Sequence, residues 1–456
     1  MSTPSTDSSE STGSLVKYGI DEDPSLPEAV PLGLQHLFAM FISTVAIPLV
    51  IAGGIGLGSE RTTFIVQMAL LVAGIATIVQ AYPVGPIGSR LPIVMGSSAI
   101  FVAPLISIGS EFGLAAVFGA AIVAAPVEIL IGYFFENVRR LFPPLVTGVV
   151  VMLVGLTLIP IAIQYSAGGP GAETYGDLTN LGLAALVLAV ALGVNQLFDG
   201  FARAVSILIA VVVGYVVAIP LGLVDGSQVA AADWVAVPRP LEFGISVEPS
   251  AVLLVAFAYV VTAMETIGDV SGTTEAVGRD ATGEETRGAL VADGVMSAVA
   301  AVFNAFPNTS FSQNVGLVSF TGVASRLVVA ITGAFLVVLG FVPKVAAVVG
   351  AMPNPVLGGA TIVLFGMIFS MGLRIVARGT ELTRRNLSII ATAIVLGLGV
   401  EIQSDAFAGL PEDVQILATS GIIVGGVTAL VLNAALPADA GVLGNPVDDA
   451  AAPDDD

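Results

Sequence analysis

Three carboxylates fall where the chain has least reason to carry charge. Glu265 and Asp269 lie in the apolar stretch 250–271, and Asp293 lies in the next one, 289–306. An ionisable side chain inside a bilayer costs several kcal/mol, so each is a functional candidate by default. Glu265 and Asp269 are four residues apart and project from one helical face. No cation in these stretches could pair with both. The plain alternative for each is a protonated carboxyl, hydrogen-bonded for packing. A carboxyl that meets dry and wet surroundings in turn can instead couple its proton to the release of a bound solute.

A second set of polar residues follows in Phe306-Pro-Asn-Thr-Ser-Phe-Ser-Gln-Asn-Val-Gly316. The polar run Asn308–Ser312 reads as extended chain, which places Gln313 and Asn314 at the start of a half-helix. Backbone N–H groups there lack intrahelical partners, and the two amides add paired donors and acceptors. Non-helical backbone at membrane depth survives only where protein or a cavity covers it. Leu91–Phe101, with Gly96-Ser97-Ser98, has the same character and makes Ser98 a candidate as well. His36 is the one imidazole, and cysteine is absent, which excludes disulfides, thiol catalysis and Cys-based metal sites. No Ser-His-Asp, P-loop or metal-ligand pattern appears, so neither an enzyme nor a metal or cofactor site is expected.

The elements that must position these residues are membrane helices. Of 456 residues 55% are hydrophobic, only 11% are charged, and the mean hydropathy is +0.97. A soluble chain keeps roughly a quarter of its residues charged, so lipid must cover most of this one. Runs such as Leu181–Val194, Leu208–Leu223 and Leu327–Val342 lack the alternation of barrel strands and, with their flanks, approach the ~20 residues of a spanning helix. Fourteen spans are expected, near 31–56, 63–82, 91–108, 113–134, 145–163, 180–197, 203–222, 250–271, 289–306, 309–322, 328–349, 354–372, 386–401 and 413–434. The third and tenth are too short and too rich in Gly, Ser and Pro to cross as plain helices. Without a short cationic leader, the first span is expected to direct insertion.

A repeat runs through this series. Phe142-Pro-Pro-Leu-Val-Thr-Gly-Val-Val-Val-Met-Leu-Val-Gly155 matches Pro353-Asn-Pro-Val-Leu-Gly-Gly-Ala-Thr-Ile-Val-Leu-Phe-Gly366, and Leu91-Pro92 matches Phe306-Pro307. Seven spans separate the copies, and an odd number inverts the second, the plan of many secondary transporters. The expected organisation is a disordered acidic tail over 1–30, one seven-span repeat over 31–222, an outer loop over 223–249, the second repeat over 250–434, and a disordered acidic tail over 435–456.

With the N-terminus inside, the cytoplasmic segments hold Lys17, Arg90, Arg139, Arg140, Arg203, Arg279, Arg287, Arg326, Arg374, Arg378, Arg384 and Arg385, and the outer loops only Arg61, Arg239 and Lys344. That positive-inside bias puts both termini in the cytoplasm of a multi-pass plasma-membrane protein. The net charge of −20 lies mostly in termini and loops, with two lysines against thirteen arginines. An acidic, lysine-poor surface predicts a high-salt cytoplasm, such as that of a haloarchaeon, where screening removes the self-repulsion.

Over roughly Leu32 to Leu432 the chain resembles the nucleobase–ascorbate transporters, the uracil and xanthine permeases. Gln313-Asn-Val-Gly-Leu-Val-Ser-Phe-Thr-Gly322 satisfies that family's Q/E-N-x-G-x-x-x-x-T-G/R/K pattern at every fixed place. Leu32-Gly-Leu-Gln-His-Leu-Phe-Ala-Met40 looks like its first-span segment, and Ala263-Met-Glu-Thr-Ile-Gly-Asp269 like its eighth. The resemblance implies a fourteen-span, seven-plus-seven inverted fold, commonly dimeric, with proton- or sodium-coupled uptake. It places Glu265 on the bound base and Gln313 opposite. Asp269, Asp293 and Asn314 match positions that matter for transport, and His36 matches a first-span histidine that supports the site. One departure stands out. Family members often read Gly-Ser-Ser-Phe-Ala-Phe where this chain has Gly96-Ser-Ser-Ala-Ile-Phe101, so stacking from position 99 is lost, and Phe101 or Phe311 is the candidate to replace it.

The expected function is therefore an ion-coupled nucleobase permease that reads donor and acceptor edges through a carboxylate facing an amide. The Gln-Asn pair favours xanthine- or urate-type purines over uracil. The expected partners are the base, the bilayer and a second copy of the chain, with no nucleic acid. The competing class is an inorganic-anion transporter or channel of similar architecture, which would lack buried carboxylates.

Overall fold

The computed structural model describes residues 16–135 and 143–437. Long, mainly apolar runs form α1 (Leu26–Ile55) and α2 (Ser59–Ala81). The third expected span is a strand, β1 (Met95–Ser97), one 3-10 turn, and the half-helix α3 (Val102–Glu111). The fourth is split at Pro126 into α4 (Leu114–Ala124) and α5 (Pro126–Tyr133). There follow α6 (Pro144–Thr157), α7 (Ile159–Ser166), α8 (Leu178–Leu197) and α9 (Ser206–Ala218). The second half opens with α10 (Pro249–Glu275) and α11 (Gly283–Val302), then β2 (Asn308–Ser310) and its half-helix α12 (Ser312–Thr321). The eleventh span is α13 (Arg326–Gly340) and α14 (Pro343–Gly350), bent by 83° at a break before Pro343. The chain closes with α15 (Asn354–Gly379), α16 (Arg384–Ile402) and α17 (Gly421–Ala435).

The fold is all-α and membrane-spanning, built as inverted repeats. Eight helical segments among the described residues are long and apolar enough to cross a bilayer, and the bent α13–α14 pair makes a ninth. The other expected crossings are shorter or more polar. α11 starts six residues ahead of its expected span because Thr282 and Glu285 form a reciprocal capping box, which lets charged residues open the helix. The chain is also ordered ahead of residue 30. The Lys17 and Tyr18 amides donate to the Gly322 carbonyl, and α1 begins at Leu26. The expected tail segments 1–15 and 438–456 lie outside the described residues.

Two compact units emerge among the described residues, one of 16–135 with 161–363, the other of 143–160 with 364–437. In the second, Gly148 meets Gly372 and Val376 so closely that a Cβ would stand 2.7 Å from the Gly372 carbonyl oxygen. In the first, α2 and α13 cross at Gly74 and Gly333, where a Cβ on either would stand 2.5 or 2.7 Å from the other's carbonyl oxygen.

β1 and β2 also belong to the first unit. They pair antiparallel, with Met95 opposite Ser310, Gly96 opposite Thr309 and Ser97 opposite Asn308. Pro307 follows Pro92 by the same number of residues as Ser310 follows Met95, so the two-fold operation that exchanges the repeats returns the Met95–Ser310 pair to itself. On each outer edge one residue meets a hydroxyl from the preceding helix. Thr77 on α2 accepts from the Met95 amide at 3.0 Å, and Ser297 on α11 accepts from the Asn308 amide at 3.0 Å. The outward backbone groups of Met95 and Asn308 in this two-stranded ribbon are thus occupied, in keeping with the need to cover irregular backbone among membrane spans.

Candidate substrate site

α10 positions two kinds of polar residue. Thr262, Thr266, Asp269 and Thr273 follow helical spacing and are buried, while Glu265 lies half-buried on a more open part of the surface, next to the exposed backbone of Gly268. Asp269 is held by the ribbon and its half-helix. Its Oδ2 accepts from the Ser310 hydroxyl at 2.6 Å and its Oδ1 from the Ser312 hydroxyl at 2.5 Å. The Ser310 hydroxyl also lies 3.3 Å from Thr266, whose own hydroxyl donates to Asp293 on α11. Asp269 and Asp293 are thereby joined through two hydroxyl side chains.

Gln313 follows Ser312 in the first turn of α12 and is half-buried, like Glu265. Glu265 stands one turn before Asp269, so both residues flank the Asp269–Ser312 contact. Beyond them α10 and α12 stay close, since a Cβ on Gly272 would stand 3.1 Å from Val315. Asn314, on the next position of α12, is buried and turns to α1. Its Nδ2 lies 3.0 Å from His36 Nδ1 and 3.1 Å from the His36 carbonyl oxygen. A carbonyl oxygen at that distance faces a donor and not a second acceptor, so the amide presents its NH2 to both atoms, and Nδ1 accepts. The neutral ring therefore carries its proton on Nε2.

The aromatic candidates separate. The Phe311 ring covers Gly96, where a Cβ would stand 2.6 Å from ring atom Cζ and 2.6 Å from the Thr44 hydroxyl oxygen. Phe101 is fully buried against Tyr259, ring centroids 4.9 Å apart and close to perpendicular. Ala99 is partly open and Ser98 is closed, with its hydroxyl accepting from the Ile100 amide at 3.3 Å as the cap of the 3-10 turn. The structure thus gathers Glu265, Asp269, Asp293, Phe311 and Gln313 around β2 and α12, links His36 and Asn314 at the α1 side, and gives Ser98 a local backbone role.

Sequence reasoning missed the hydroxyls of Thr262, Thr266, Ser310 and Ser312, which carry no signal of their own. It also missed Glu128. That residue is fully buried on α5 and accepts from Thr262 at 3.0 Å. An ionisable residue inside the apolar stretch 113–134 meets the same criterion that singles out Glu265. Among the described residues no three His, Cys, Asp or Glu side chains group as metal ligands.

A family model described as "Permease family", for xanthine and uracil permeases, matches residues 27–405. The chain belongs to the nucleobase–ascorbate transporter family. It is 44% identical over 419 residues, 92% of each chain, to a Clostridium perfringens protein provisionally named a purine permease. It is 38% identical over 437 residues to the xanthine permease XanP of Escherichia coli K12, covering 92% of this chain and 94% of the other. It is 38% identical over 404 residues to the uric acid permease PucK of Bacillus subtilis, covering 88% and 94%. Among solved structures it is similar to the transmembrane domain of the cyanobacterial bicarbonate transporter BicA, with a TM-score of 0.54, 14% identity and 87% and 97% of the chains covered. The murine anion transporter Slc26a9 gives a TM-score of 0.59 at 13% identity, covering 90% and 69%. These two likenesses concern the fold. Transport of nucleobases across a membrane, rather than an enzymatic reaction, is what the family and its members' names support.

Proposed function

We propose that this permease is an ion-coupled symporter for oxidised purines of the xanthine and urate type, with Glu265 and Gln313 holding the base. The observation that carries this reading is that Glu265 and Gln313 are the half-open members of a polar set whose other carboxyls are closed. Such a base offers alternating N–H donors and C=O acceptors along its edge. A carboxylate accepts from the former and a glutamine amide serves either, so the pair reads an edge that inorganic anions lack. The Phe311 ring is the nearby aromatic surface that could substitute for the one absent at Ala99. Asp269 and Asp293 are read as coupling residues, and the His36–Asn314 pair as support for the start of α12. Names of xanthine and uric acid permeases among the relatives support purines over uracil. Both termini are read as cytoplasmic and the working form as a homodimer.

The test is uptake of radiolabelled xanthine, urate and uracil into proteoliposomes under imposed proton or sodium gradients. Purine accumulation driven by one gradient, with weak competition by uracil, is the expected result. Accumulation of bicarbonate or sulfate in place of any base would overturn the reading in favour of an inorganic-anion transporter.

A further inference from the structure

One buried polar cluster lies outside the base-holding pair. Glu128 on α5 is fully buried; its Oε1 accepts from Thr262, and its Oε2 has no hydrogen-bond partner. Asp293 on α11 is equally buried; its Oδ2 accepts from Thr266, and its Oδ1 has no partner. Thr262 and Thr266 are four residues apart on α10, about 6 Å along one helical face. The two carboxyls they hold are therefore stacked roughly one turn apart.

A third group arrives at the same level. Asn308 is fully buried, and both atoms of its amide lack partners. Alternate residues of an extended chain share a face and advance about 6.6 Å, close to one helical turn. Ser312 meets Asp269, and Ser310 on β2 meets Asp269 and Thr266, so the contacts step back along α10 and Asn308, two residues before Ser310, lies toward its Thr262 end. The backbone agrees, because Ser297, one turn beyond Asp293 on α11, bonds both the amide and the carbonyl of Asn308.

Among the described residues of the helices and strand around this space, no cation is paired with either carboxyl. α5 carries only Glu128; α10 adds Glu265, Asp269 and, at its far end, Glu275. α11 adds Asp293, two glutamates in its first turn and Arg287, which stands over the Tyr133 ring at 5.9 Å. β2 and α4 carry no charge. The Tyr259 hydroxyl is committed to the Ala121 carbonyl at 3.0 Å. Two carboxylates charged together without a counter-charge are prohibitive in a dry interior. The helices also meet closely, since a Cβ on Gly294 would stand 2.7 Å from Ile129 and 3.0 Å from the Ala125 carbonyl oxygen. A proton fits without parting them, whereas a sodium ion needs a shell of oxygens.

We propose that Glu128 and Asp293 form an acid pair that shares one proton, with the Asn308 amide as a partner for either protonation state. The amide Nδ2 donates to the ionised carboxyl and Oδ1 accepts from the protonated one. With one proton between them, the two carboxyls keep a single negative charge. The Asp293–Thr266–Ser310–Asp269 chain of side chains leads from this pair toward Glu265, which makes it a reservoir for the transport proton. That last role rests on the symporter reading above.

Infrared difference spectroscopy of the full-length protein tests the pair directly through the C=O stretch of a buried carboxylic acid. Glu128→Gln and Asp293→Asn should each abolish the same band, and Thr262→Val, which keeps both carboxyls, should shift it. A band that survives Glu128→Gln, or two separate bands lost one per variant, overturns the shared proton. If replacing choline by sodium removes the band in the wild type, the site holds sodium and the proposal fails. In proteoliposomes, Glu128→Gln should retain xanthine exchange at zero gradient while proton-driven accumulation drops at least tenfold. Unchanged accumulation would overturn the reservoir role. A wild type that exchanges no purine would overturn the symporter reading alone, because the infrared result stands apart from it.

Discussion

At the residue scale, the same side-chain chemistry has different consequences according to what surrounds it. Asp269 has both oxygens occupied by Ser310 and Ser312, whereas Glu265, one turn away, remains half-open. Glu265→Gln keeps the shape but cannot be charged. Losing a charge-assisted hydrogen bond should weaken purine binding by about 1.5–3 kcal/mol, roughly ten- to a hundredfold. Gradient-driven uptake should disappear while insertion and melting temperature are retained; near wild-type accumulation would make Glu265 structural. Gln313→Glu replaces a donor by an acceptor, so purine uptake should fall and competition by uracil should rise, read from competition profiles at equal surface expression. The candidates themselves were legible because charge in an apolar stretch is conspicuous. Their partners were not, since Thr262 and Glu128 meet across 134 positions and nothing local in the sequence announces it.

At the scale of elements, the two interrupted spans were legible from Gly, Ser and Pro at membrane depth, and they do form strand and half-helix. Their pairing, and the hydroxyls of Thr77 and Ser297 that close its edges, depend on long-range packing that composition does not encode. The splits at Pro126 and before Pro343 were equally hidden, because proline at the first helical position also starts uninterrupted helices. Gly96 is where ribbon and site meet. A methyl group there would have to displace both the Phe311 ring and the Thr44 hydroxyl, each 2.6 Å away. Gly96→Ala should therefore reduce purine binding at least tenfold in a direct binding titration, with a smaller effect on melting temperature because the ring can swing while the helices stay packed. Unaltered affinity would show that Phe311 has no part in holding the base.

At the scale of the whole molecule, the positive-inside reading depends on every span being counted correctly, and the first compact unit offers a check on part of that count. Arg90, Arg279 and Arg326 come from three loops assigned to the cytoplasmic side. They line one hollow of about 500 Å³ together with Asp21 and Glu285. Arg326 pairs with Asp21 and Arg279 with Glu285, so the N-terminal segment shares this end of the fold. Arg61 and Arg239, assigned outside, lie over the rings of Phe243 and Phe64, which themselves meet edge to face at 5.9 Å. Cations separated by many residues thus gather according to their assigned side, as correct parity over the spans between them requires. The C-terminal arginines, Arg374, Arg378, Arg384 and Arg385, belong to the other unit, and their side rests on the sequence count alone. Reporters active in one compartment, fused separately to each end, should place both termini in the cytoplasm. Opposite locations would mean an odd number of crossings, with the error falling after Arg326, and would break the equivalence of the two repeats that the Met95–Ser310 pair expresses.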